Sequence, residues 1–95
     1  MRQITTKSVQ AFNNNEPFKL DNTAVIIEDN KTKLSLFGHV IAIKENNRLY
    51  ITNCGYETRT TKERLNGLPN VHIVQRQSIW YLNGKEWEGE LIEIK

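Results

Sequence analysis

One cysteine in 95 residues, Cys54, rules out an intramolecular disulfide and any metal site built on several thiolates. No uninterrupted apolar run exceeds four residues, as at Val40 to Ile43, far short of the roughly 20 that a membrane-crossing helix needs. The opening Met1-Arg2-Gln3-Ile4-Thr5 lacks the apolar stretch of a signal peptide. An excess of one charge sign is also missing. Thirteen Lys and Arg stand against eleven Asp and Glu, a net +2, which is too small to imply a nucleic-acid partner by composition alone. These shortages point to a soluble protein of a reducing, cytoplasmic setting with no membrane partner.

What remains is organised for a single domain over residues 1–95, since a chain of this size has no room for a second core. The strongest local signal is Trp80-Tyr81-Leu82-Asn83-Gly84-Lys85-Glu86-Trp87. Asn-Gly supplies the two positive-φ centres of a type I′ hairpin turn, which would pair Tyr81 with Glu86 and Trp80 with Trp87. Thr23 to Glu28 and Lys33 to Phe37 read as strands joined around Asn30-Lys31, pairing Ile27 with Leu34. Gly38 reads as a bulge or bend before His39 to Lys44, and Asn46-Asn47 turns the chain back into Arg48 to Thr52. Val71 to Gln75 turns at Arg76-Gln77 into Ser78 to Trp80, and Leu91 to Ile94 pairs with an edge of the first meander.

Two short helices complete the pattern. The first starts at an N-cap Thr5 with Ile4 and Val9 as a hydrophobic staple, and Asn13 to Asn15 with Pro17 end it. The second starts at Thr60-Thr61-Lys62-Glu63, a capping box with Glu63 reaching back, and stops at Gly67 and Pro69. The fold class is therefore α+β, with antiparallel meanders in the order α-β-β-β-α-β-β-β. Thr-Thr-Lys at 5–7 and 60–62 opens each half, as a duplicated unit would.

The run Leu49 to Tyr56, the segment Thr60 to Pro69 and the Trp80 to Gly84 hairpin together resemble a family of small bacteriophage- and prophage-encoded proteins of about this length. The resemblance covers most of the chain and assigns no chemistry to any residue. It implies a phage-type accessory protein acting in the host cytoplasm or in the virion. The leading functional reading is non-enzymatic binding of a host or phage protein, with inhibition of a host defence system as one concrete form. No cofactor and no metal site follows from the residues.

Three groups of side chains are candidates for function. Pairing across the Asn46-Asn47 turn sets His39 opposite Cys54, a thiol beside an imidazole, but no third orienting group accompanies them. His72, Tyr81 and Glu86 form one cross-strand row and, with Ile79 and Glu88, a face for a protein partner on the side opposite the tryptophans. Arg59, Lys62 and Arg64 around the second helix, with Tyr56, Arg48 and Arg76, form the basic set of a nucleic-acid-binding alternative. A further alternative is a minor virion protein that self-assembles through an open sheet edge. The nucleic-acid alternative makes a measurable statement. Neutralising about three phosphates gives a log–log slope of binding against salt of roughly −2 to −3, and titration with single- or double-stranded DNA or RNA at several salt concentrations checks it.

Overall fold

The structure, a computed structural model, describes residues 2–95. Helix α1 (Gln3–Asn13) leads into a meander of β1 (Phe18–Leu20), β2 (Thr23–Glu28), β3 (Lys31–Leu36), β4 (His39–Glu45) and β5 (Arg48–Ile51). Helix α2 (Arg59–Asn66) follows, then β6 (Ile73–Arg76), β7 (Ile79–Leu82), β8 (Lys85–Glu86) and β9 (Ile92–Ile94). The first five strands and β9 form one antiparallel sheet in the order β1-β2-β3-β4-β5-β9, and β6-β7-β8 form a second. The α+β class therefore holds, and β9 docks on β5 at the edge of the meander. Both edges of the larger sheet are three-residue strands, short enough to offer little to an approaching chain.

Tight turns set the registers. Asp29-Asn30, Phe37-Gly38, Asn46-Asn47, Gln77-Ser78 and Asn83-Gly84 each carry positive φ at both centres, the type I′ geometry whose twist matches the strands it joins. Asn46-Asn47 and Asn83-Gly84 fall where the sequence puts them. The Asp29-Asn30 turn pairs Val25 with Leu34 and Ile27 with Thr32, one residue earlier than expected, so Leu34 meets a different aliphatic on the same face. Gln77-Ser78 instead of Arg76-Gln77 pairs Ile73 with Leu82 and Gln75 with Trp80. Gly38 is a turn centre and not a bulge. The bulge lies in β4, where Leu34 faces Ala42 and Ser35 faces Val40, so the extra residue Ile41 is buried beside Ala42. Strand β1 carries little periodic signal and was not expected.

Both helices start earlier than their best sequence signals. Thr58 is the N-cap of α2, its hydroxyl accepting from the Thr61 N–H at 3.1 Å. Thr61, Arg64, Leu65 and Leu68, spaced i, i+3, i+4 and i+7, share one buried face. Likewise α1 begins at Gln3 and buries Thr5 within it. The buried threonine is the first of one Thr-Thr-Lys triplet and the second of the other, so the two repeats occupy different helical frames. The last turn of α1 has no basic residue of its own. Lys44 from β4 supplies the charge, donating to the Phe12 and Asn13 carbonyls at 2.9 and 3.0 Å.

The two sheets and both helices share one core. Trp80 and Trp87 are both buried in it with ring centroids 6.2 Å apart, and the Trp87 N–H to Trp80 carbonyl bond of 2.9 Å extends their hairpin. Trp87 is thus as enclosed as Trp80.

At the junction of α1, α2 and β2 lies Arg64, at 0% exposure. Its Nη1 donates to Thr5 Oγ1 at 2.5 Å and to Glu63 Oε1 at 2.6 Å, and its Nε donates to Thr23 Oγ1 at 3.1 Å. The Thr5 hydroxyl in turn donates to Glu63 at 2.8 Å. Burial pushes the Glu63 carboxyl up, but the Thr5 hydroxyl and the Arg64 and Arg2 charges together hold it below the ordinary carboxylate range. Removing one member of a buried pair costs about 3–5 kcal/mol. Arg64→Ala therefore lowers unfolding stability by about that amount in urea denaturation, whereas Arg59→Ala, on the exposed side of the same helix, changes it by less than about 0.5 kcal/mol.

Candidate functional site

The hairpin tip of β3 and β4 and the start of α2 meet over a small pocket. Phe37 is the first centre of the β3–β4 turn, with φ +52°, and it is 66% exposed. A bulky residue in the left-handed region is an outlier, and such strain clusters at functional positions. Asn or Gly would fit this turn without strain and without exposing an aromatic ring.

A second turn brings the opposite wall. Cys54 and Gly55, at φ +54° and +82°, form the centres of a tight turn closed by the Tyr56 N–H to Asn53 carbonyl bond of 2.8 Å. The Asn53 side-chain oxygen accepts from the Gly55 N–H at 2.8 Å, an Asx-type arrangement that fixes which side-chain atom is oxygen. The turn returns Tyr56 onto His39, the rings stacked with centroids 4.5 Å apart. Tyr56 stays 47% exposed.

The pocket between these walls has a volume of about 120 Å³. Phe37, His39 and Tyr56 contribute rings, Leu36 and Ile41 the apolar floor, and Asn53, Thr58 and Thr61 the polar groups. No lining residue carries a formal charge when His39 is neutral. The Thr58 and Thr61 hydroxyls lie 2.9 Å apart, so one hydrogen joins them and one is left over. Asn53 is 1% exposed and its Nδ2 has no hydrogen-bond partner among the described residues. An unpaired buried donor costs roughly 1–3 kcal/mol, which gives the site a polar demand that the chain itself does not meet.

The basic set does not converge. Arg64 is the buried latch described above, a correction to its reading as a surface cation, because it shares the inward face of Thr61, Leu65 and Leu68 and finds Thr5 and Thr23 there. Arg48 lies 4.0 Å from Glu93, and the neighbouring Tyr50 hydroxyl and Glu93 raise its pKa. Lys62 donates to Gln75 at 2.8 Å and sits 5.8 Å over the Trp80 ring. Arg59 and Arg76 are exposed, one at the start of α2 and the other at the end of β6, and Tyr56 belongs to the pocket.

On the smaller sheet, Tyr81 pairs with Glu86 as the Asn83-Gly84 turn requires. His72 is one pair further along than expected. It faces Asn83, donating its N–H to the Asn83 side chain at 2.9 Å, while Val74 pairs with Tyr81. His72, Ile79, Glu86 and Glu88 are exposed and Tyr81 half-buried, on the side away from the tryptophans. His39 and Cys54 do not form the expected pair. The chain leaves the β4–β5 ladder after Thr52, the Cys54 thiol donates to the Val40 carbonyl at 3.0 Å, and His39 stacks on Tyr56.

Gly89 holds the pocket from behind. Its φ is +93°, and a Cβ there would lie 2.1–2.3 Å from the Asn53 amide. The Gly89 carbonyl accepts from the Asn53 N–H at 3.1 Å and the Thr52 hydroxyl at 2.7 Å.

A family model described as Kyanoviridae Gp96 protein matches residues 1–93. No curated protein and no solved structure matches the chain.

The contact between Gly89 and Asn53 has a direct consequence. Gly89→Ala costs on the order of 2 kcal/mol from the positive φ and the collision together, read as a lower thermal midpoint, and it shifts the Asn53 and Gly55 amide resonances most.

Proposed function

Since the chain belongs to the Kyanoviridae Gp96 protein family, a family of phage proteins, we propose that it is a non-enzymatic accessory protein that acts by binding a host or phage protein. The observation that carries this reading is Phe37. A strained backbone position holds an exposed aromatic ring beside a pocket whose other rim is the half-exposed Tyr56. Aromatic side chains at the edge of an uncharged pocket are the anchors that protein interfaces favour. Action in the host cell, with inhibition of a host defence protein as one form, rests on the phage family and on no residue of the site.

The nucleic-acid alternative has less support, because Arg64 is buried and Arg48 lies beside Glu93. Self-assembly has less as well, since the sheet edges are short.

Capture of a partner from host or infected-cell lysate, compared between the wild-type chain and Phe37→Asn, tests the proposal. Asn accepts the left-handed conformation at low cost, so the variant keeps its stability or gains up to about 1 kcal/mol. Its partner capture falls at least about tenfold. A partner retained equally by Phe37→Asn and Tyr56→Ala, or captured only in a salt-dependent, nuclease-sensitive manner, overturns the reading.

A further inference from the structure

Resting on the proposed protein-binding role of Phe37, we propose that Asn22 and Thr23 are its positioning residues. They join the buried Arg64 to the β3–β4 turn through a chain of hydrogen bonds. A bulky residue at positive φ persists only where its surroundings over-determine it. Among the described residues, Phe37 is the one aromatic with positive φ. The neighbouring turn supplies the hold. Asp21 and Asn22 join β1 to β2, whose Leu20 and Thr23 pair across them. The Asn22 carbonyl accepts from the Phe37 N–H at 2.7 Å.

From Asn22 the chain runs inward. Its side-chain oxygen accepts from the Thr23 hydroxyl at 2.8 Å, and the Thr23 oxygen accepts from Arg64 Nε at 3.1 Å. Chemistry fixes both directions. A guanidinium has donors only, so the Thr23 oxygen accepts from it and the one hydroxyl hydrogen is left for Asn22. Thr23 is 1% exposed, which leaves its hydroxyl no solvent to turn to if either partner is removed. Arg64 thereby reaches both sides of the pocket. Its own helix carries Thr58 and Thr61 to one wall, and Thr23 and Asn22 extend from it to Phe37 on the other. An anchor held in place before docking loses less entropy on binding.

The test measures amide hydrogen exchange residue by residue in the isotope-labelled full chain. Asn22→Ala removes the side-chain acceptor at a residue without positive φ, and Thr23→Val removes the hydroxyl while keeping the shape. In both, the Phe37 amide exchanges about fivefold faster relative to the amides of β7, and the Phe37 and Gly38 resonances shift. Asn22→Asp and Thr23→Ser keep the oxygen and the hydroxyl and stay close to wild type. Asn22→Ala, at a half-buried turn residue, carries the test should Thr23→Val fail to fold. Phe37 exchange that rises only in step with β7 overturns the proposal, as does equal loss of Phe37 protection in the conservative variants. Asn22→Ala also lowers partner capture about threefold or more. Faster Phe37 exchange with capture unchanged supports the positioning and removes Phe37 from the protein-binding role.

Discussion

The fold depends on a charge in its interior. Arg64 has no exposed surface, yet it ties three elements together: Thr5 of α1, Thr23 of β2 and its own neighbour Glu63. Hydrophobic contact between helices and sheet is non-directional and tolerates sliding. A guanidinium with donors in a rigid fork does not. The latch therefore sets where α1 lies relative to α2, and so how the N-terminus of α2 faces the β3–β4 turn. The remaining Nη2 donor has no hydrogen-bond partner among the described residues, so the arrangement is one of specificity as much as of stability.

The pocket is the downstream result of that placement. Thr58 and Thr61 reach it from the first turn of α2, and Arg64, one turn on from Thr61, lies on the same buried side of that helix. Phe37 reaches it because the β3–β4 turn has two residues and twists the strands right-handedly. Asn53 reaches it because the chain leaves β5 and immediately reverses at Cys54-Gly55, pinned from behind by Gly89. Phe37, Cys54, Gly55 and Gly89 in this region have positive φ, as do the centres of the other tight turns.

Much of the fold could be read from residues in advance. Asn-Gly and Asn-Asn mark their turns because Asn and Gly accept positive φ, and from Asn83-Gly84 the Trp80–Trp87 pairing follows. The turns at Phe37-Gly38 and Gln77-Ser78 carry weaker markers, so their strands were misread by one residue or merged. Of the candidate site, Tyr56 was recognised, but as part of a basic cluster. Phe37 looked like a strand end and Asn53 a neighbour of the cysteine. A signal for Phe37 did exist: an aromatic immediately before Gly, between two alternating strands, occupies a turn centre where Asn or Asp is usual.

The sequence by itself determined the α+β class, the two strongest turns and the absence of any thiol-rich metal site. Each of these rests on local chemistry, namely backbone preference, period-two alternation or residue count. Tertiary structure alone decided that Arg64 is a buried latch, because its partners Thr23 and Thr5 lie 41 and 59 residues away along the chain. It also decided that Phe37, Asn53 and Thr61, distant along the chain, share one pocket. Contacts across such distances leave no periodic trace in a single sequence, since the residues meet only after the turns and the Arg64 latch have placed their elements.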